Sequence, residues 1–156
     1  MPNVTMNAKD AVSAKLAECF VTIEGRRYLL MQAKNFEAKF EKTKKEINIL
    51  GKTGAGNKST GWKGTGKMTI YKNTSIFDEI MEKYKNTGED LYIDIQVTVE
   101  DPTSAAGANS MIFTGCNING GVLASFDVDG DFLEQEVEFT FEDFANPTKF
   151  TALAGM

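Results

Sequence analysis

Residues 132–144 read "FLEQEVEFTFEDF", and their alternation decides the fold class. Val137, Phe139 and Phe141 fall on one side of an extended chain, and Glu134, Glu136, Glu138, Thr140 and Glu142 fall on the other. Successive strand side chains point to opposite faces, so this is a strand with one buried and one solvated face. "LYIDIQVTVE" (91–100) repeats the pattern, with Ile93, Ile95, Val97 and Val99 inward and Asp94, Gln96, Thr98 and Glu100 outward. One wet face per strand is the habit of antiparallel sheets.

Working outward, "ECFVTIEGRRYLLMQ" places Glu24-Gly25-Arg26 between two β-rich runs, which predicts a hairpin. In "KNFEAKFEKTKKEINIL", Phe36, Ala38 and Phe40 alternate with Glu37, Lys39 and Glu41. Ile47 and Ile49 continue an extended ribbon after the charged "EKTKKE". "NSMIFTGCNI" (109–118) and "GVLASF" (121–126) read as two strands joined by a turn at Asn119-Gly120. "SIFDEIMEKYKNTG" (75–88) predicts one helix over 75–87. Ile76, Phe77, Ile80, Met81 and Tyr84 form its apolar stripe, Ser75 with Asp78 resembles a capping box, and Gly88 is the stop. The expected fold is mostly antiparallel β with one flanking α-helix. The expected organisation is an N-terminal arm over 1–16, a β-domain over 17–144 and a C-terminal tail over 145–156.

The chain has 156 residues, 42% hydrophobic and 25% charged, which suits one globular core. No stretch reaches the ~18 consecutive apolar residues of a membrane helix. The start, "MPNVTMNAKDAVSAKLAECF", lacks the basic then apolar order of a secretory signal, so a cytoplasmic protein is expected. Cys19 and Cys116 lie in apolar strand-like runs and are expected to be reduced and buried. Histidine is absent, which removes the commonest general base and metal ligand and the usual nucleophilic triads. The net charge of −5 disfavours tight duplex-DNA binding by counterion release.

Three stretches invite a chemical reading. "GKTGAGNKST" (51–60) nearly matches a phosphate-binding loop. That loop needs its lysine directly after the second glycine and a helix beginning there. Here Asn57 separates Gly56 from Lys58, and Gly61, Gly64 and Gly66 follow, so no helix is expected. Residues 51–66 hold six of the fourteen glycines and read as a flexible loop carrying Lys52, Lys58, Trp62 and Lys63. "DVDGD" (127–131) lacks the ligand spacing of a calcium loop and reads as a turn. Glu134, Glu136 and Glu138 form a row of like charges rather than a pair with separated pKa values. No catalytic, metal or cofactor site is expected.

From Gly66–Tyr71 onward the chain resembles the tail tube proteins of contractile phage tails, especially those of defective prophages and phage-tail-like bacteriocins. The resemblance rests on Gly66–Tyr71, the helix after it, "EDPTS" (100–104), "GCNI" (115–118) and "FDVDGDFLEQEVEFTFEDF" (126–144), with 34–47 and 50–62 also fitting. No motif in it is catalytic. It implies two packed antiparallel sheets, sandwich- or barrel-like, with the flanking α-helix, a fold shared with the tube of type VI secretion, in a non-enzymatic structural protein that forms hexameric rings stacked into a hollow tube. It implies a surrounding tail sheath protein and contacts with baseplate and tape-measure proteins. It implies assembly in the host cytoplasm, then residence in a particle. A ring subunit of a type VI-like secretion tube is the alternative. On this resemblance Glu134, Glu136, Glu138, Asp94 and Gln96 are lumen-facing candidates that let DNA pass without binding; the competing placement sets the glutamates outward against the sheath. Lys52, Lys58, Trp62 and Lys63 are then contacts between stacked rings.

Overall fold

Glu24 and Gly25 both adopt positive φ, 50° and 80°, as the two central residues of a tight hairpin turn require. They join strand β1 (Ala17–Ile23) to β2 (Arg26–Leu29), with Ile23 opposite Arg26. The remaining elements are β3 (Ala33–Ile47), β4 (Gly56–Tyr71), α1 (Ile76–Thr87), β5 (Tyr92–Glu100), β6 (Ala108–Gly121), β7 (Glu134–Phe141) and β8 (Asp143–Thr148). These are the elements of a computed structural model, which describes residues 5–153 and 155. The mainly β architecture with one helix holds. Its strands form one hydrogen-bonded path, β2-β1-β5-β6-β7-β4-β3, with β8 paired to β6, in place of two separately laddered sheets.

The chain divides into two compact units. The first contains β1, β2, β5, the beginning of β6 and β8. Its core is Cys19, Val21, Leu30, Ile93, Ile95, Ala106 and Phe113. The β5 alternation is sharp at Ile93 and Ile95, while Val97 and Val99 are only half-buried. The N-terminal segment expected as an arm has two short 3-10 turns and is tied down here by three hydrogen bonds. The Ser13 N–H donates to Asp101 Oδ2 at 3.0 Å, and the Ala105 N–H donates to Asp10 Oδ1 at 3.0 Å. The Thr103 N–H also donates to Asp101, and the Ser104 hydroxyl donates to the Asp10 carbonyl. Buried Asp101 thus keeps its partners. Residues 1–4 of the expected arm lie outside the described residues.

The second unit contains β3, β4, α1, the end of β6 and β7. Its core joins Met68, Ile70, Phe77, Cys116, Val137, Phe139 and Phe141. Cys19 and Cys116 are buried and not joined in a disulfide, and burial pushes the Cys19 thiol up to about 11.

Four local readings change. Residues 56–66, expected as loop, are strand: β4 pairs with β3 from Ile47↔Gly56 to Ala33↔Ile70. Gly64 and Gly66 serve packing rather than mobility. A Cβ on Gly64 would sit 2.3 Å from the Phe141 ring, and one on Gly66 2.3 Å from the Phe139 ring. Both rings fold across bare backbone that any side chain would block. Asn119-Gly120 is no hairpin turn. It lies inside β6 at a register shift against β7, and 122–133 forms the connection to β7. The Ser75–Asp78 capping box is absent: Ser75 makes no side-chain cap bond, and α1 ends on Gly88 at φ 72°. In the helix stripe only Phe77 is fully buried, and Tyr84 is exposed. Finally, 145–148 of the expected C-terminal tail lie in β8.

Candidate assembly interface

The β7 partner of β4 stops at Gly64↔Phe141, but β3 and β4 continue together beyond it. From Glu41↔Lys63 to Ile47↔Gly56 they form a two-stranded arm, roughly 20 Å long at ~3.3 Å per residue. All of its residues are exposed except half-buried Gly56. Gly51, at φ 83°, makes the turn at its tip, where the Lys52 N–H donates to the Ile49 carbonyl at 3.2 Å. Lys58, the lysine of the near phosphate loop, lies in strand opposite Lys45, so no helix N-terminus faces the glycines.

Two-stranded ribbons are marginal alone in water. This one is anchored at its root by aromatics: Phe40 stacks on Trp62 at 5.0 Å, and Trp62 meets Phe141 at 6.1 Å. The four loop residues singled out from sequence therefore separate. Lys52 and Lys58 stand on the distal arm, Trp62 packs at its root, and Lys63 forms an ion pair with Glu41 at 3.8 Å.

The glutamate row occupies the outer face of β7. Glu134, Glu136 and Glu138 are exposed, while Gln135, Val137, Phe139 and Phe141 are buried behind them. The neighbouring strands change its electrostatics. Glu138 stands opposite Lys67, which stands opposite Glu37. Glu134 Oε1 receives a hydrogen bond from Lys34 Nζ at 2.5 Å. That bond first, and the Glu134 charge second, hold the Lys34 ammonium above the ordinary lysine range. With Lys39 and Lys63 on the same side by register, the face interleaves both signs and is not the bare acidic wall expected from one strand. The signal was present in "KNFEAKFE" and "GKMTIYK", but only pairing shows which residues share a face. In the first unit Asp94 is exposed. Gln96 is half-buried, accepting from Arg27 at 3.2 Å and donating to Ser110 at 3.1 Å.

One polar group beneath α1 carries a pH consequence. Asp78 pairs with Lys72, and Gln135 Nε2 donates to Asp78 Oδ1 at 2.7 Å. Burial alone raises the Asp78 pKa, but the hydrogen bonds from Lys72 and Gln135 and the Lys72 charge outweigh it and leave the carboxyl below its ordinary value. A depressed carboxylate contributes stability above its unfolded pKa, and that contribution is lost as pH falls through the folded value. Asp78→Asn is therefore expected to flatten the loss of stability below about pH 5, measured by urea unfolding across an acid series. An acid slope identical to that of the unaltered protein contradicts this.

A missed feature lies at 122–133. Val122, Leu123, Phe126, Val128, Phe132 and Leu133 are all exposed, Phe126 at 83% and Val128 at 89%. Exposed apolar clusters of this kind mark interaction surfaces. The strand and turn assigned to this stretch from sequence concealed it.

The family model described as phage tail tube protein matches residues 4–147. The chain belongs to the phage tail tube protein family. Phage-like element PBSX protein XkdM of Bacillus subtilis (strain 168) is 38% identical over 148 residues, covering 95% of this chain and 98% of that one. YqbM of the same strain is 38% identical over 144 residues, covering 92% and 95%. Among solved structures, the fold is similar to a chain of the anti-feeding prophage baseplate (TM-score 0.64, 6% identity, covering 94% of this chain and 95% of that one). It is also similar to the SPP1 tail tube (0.63, 12%, covering 87% and 78%). A third is a chain of the PVC sheath–tube complex of an extracellular contractile injection system (0.62, 12%, covering 89% and 93%). As expected, the chain is a phage tail tube protein with a homologue in a phage-like element of Bacillus subtilis, and its fold is similar to that of a chain in a contractile sheath–tube complex. No helix among the described residues is long and apolar enough to cross a membrane.

Proposed function

We propose that this chain forms hexameric rings that stack into the hollow inner tube of a contractile tail or tail-like particle. The observation that carries the reading is the exposed β3–β4 arm, a ribbon too thin to be worth extending unless another subunit receives it. Lys52 and Lys58 make contacts between stacked rings, and Trp62 holds the arm at its root. The outer face with Glu134, Glu136 and Glu138, together with Asp94, lines the lumen. Its interleaved lysines make it weakly rather than strongly repellent to DNA, which then passes without being held. Gln96 is committed to Arg27 and Ser110 and is the weakest member of that set. A tail sheath protein surrounds the tube, and baseplate and tape-measure proteins contact its end and interior. Assembly takes place in the host cytoplasm. The role is structural and asks for no catalysis or cofactor.

Negative-stain microscopy of concentrated protein tests this. Hollow, axially periodic tubes with sixfold end views are expected. A persistent monomer under every condition, including with preformed tube ends as template, overturns it.

A further inference from the structure

We infer that the arm of one copy docks, through the contact between stacked rings proposed above, on the 122–133 loop of a second copy. The arm between the Glu41–Lys63 pair and its tip carries Lys42, Lys44, Lys45, Lys52 and Lys58 against the single acid Glu46. None of these five lysines has an ion-pair partner among the described residues. Lys45 and Lys58 stand directly opposite, a like-charge pairing that weakens the free arm and is relieved by an anionic partner. The tip also exposes Ile47, Ile49 and Leu50, the last completely.

The 122–133 loop complements both properties. It carries Asp127, Asp129 and Asp131 with no Lys or Arg, among six exposed apolar side chains. Both of its ends are fixed. The Val122 N–H donates to the Glu136 carbonyl and the Val122 carbonyl accepts from Gln135, while the Lys72 N–H donates to the Leu133 carbonyl at 2.9 Å. Its middle is a turn, with the Gly130 N–H donating to the Asp127 carbonyl at 3.0 Å. A basic, apolar tip meets an acidic, apolar loop. The apolar burial supplies affinity and the charges supply register. An arm on one surface and its receptor on another make a heterologous contact, the kind that propagates along a stack.

Two proteins, each with one added exposed cysteine, Leu50→Cys and Phe126→Cys, test the pairing directly, because the native Cys19 and Cys116 are buried. Mixed, assembled and oxidised with a copper–phenanthroline catalyst in air, they are expected to give a disulfide-linked heterodimer on a non-reducing gel. A heterodimer absent from formed tubes overturns the pairing. Charge reversal gives a second readout. Lys44→Glu with Lys45→Glu, and separately Asp127→Lys with Asp129→Lys, should each raise the protein concentration needed for pelletable tubes about tenfold. Mixing the two reversed proteins should lower that concentration again, since each arm then finds a loop of opposite sign. Normal assembly of the loop-reversed protein, in a chain whose assembly still requires the arm, overturns this pairing and leaves the arm's inter-ring role standing. Assembly without the arm overturns both.

Discussion

Gly66→Val is expected to destabilise the folded protein by about 2–4 kcal/mol, lowering the melting midpoint by roughly 5–15 °C. The new Cβ would lie 2.3 Å from Phe139 Cζ and 2.9 Å from the Glu37 carbonyl oxygen. Neither neighbour yields cheaply. Phe139 is completely buried and stacks on Phe36 at 5.7 Å, and the Glu37 carbonyl belongs to the strand opposite. Either the ring leaves its rotamer or the β3–β4 ladder parts, and both cost stability. Gly61→Val is the matched control, because nothing lies within 4 Å of its added Cβ. It should fall within about 0.5 kcal/mol of the unaltered protein. Equal urea midpoints for the two variants would show that the glycines of this strand were selected for something other than the seating of Phe139 and Phe141.

Removing the arm tip is expected to abolish tubes while leaving the subunit folded. The register defines the cut. Replacing residues 46–57 by Asn-Gly joins Lys45 to Lys58, already opposite each other, through a two-residue turn. Every residue removed is exposed except half-buried Gly56, so the midpoint should move by no more than a few degrees. A cut through Trp62 would answer a different question, since Trp62 packs on Phe40 and Phe141 and its loss would loosen the arm's root. Sedimentation of the shortened protein should leave it in the supernatant at concentrations where the full chain pellets. Tubes of normal length from the shortened chain would remove the arm from the assembly mechanism.

Much of the fold was legible because its signals are local. Period-two alternation in 132–144 and 91–100 comes from strand geometry itself, and the structure buries Val137, Phe139, Phe141, Ile93 and Ile95 accordingly. Glu24-Gly25 made its turn because few residue pairs accept two positive φ values. Gly88 ended the helix for the related reason that glycine enters the left-handed region freely. The failures share a cause as well. In 56–66 and at Asn119-Gly120 the local propensity is weak or points to a turn, and long-range pairing overrides it. The arm strand exists because its root is clamped by β7 and by rings from elsewhere in the chain.

The candidate site divides in the same way. The sequence by itself determined that a basic, glycine-rich segment stands on an acidic chain, and that Asn57 breaks the phosphate loop. Those are facts of composition and spacing, and no folding can alter them. Only the tertiary structure decided that the segment is a ribbon rather than a loop, that Trp62 belongs to its root, and that Lys34 and Lys67 interleave with the glutamate row. Each of these depends on which strand lies beside which, and so does the charge of a sheet face, which belongs to several strands at once.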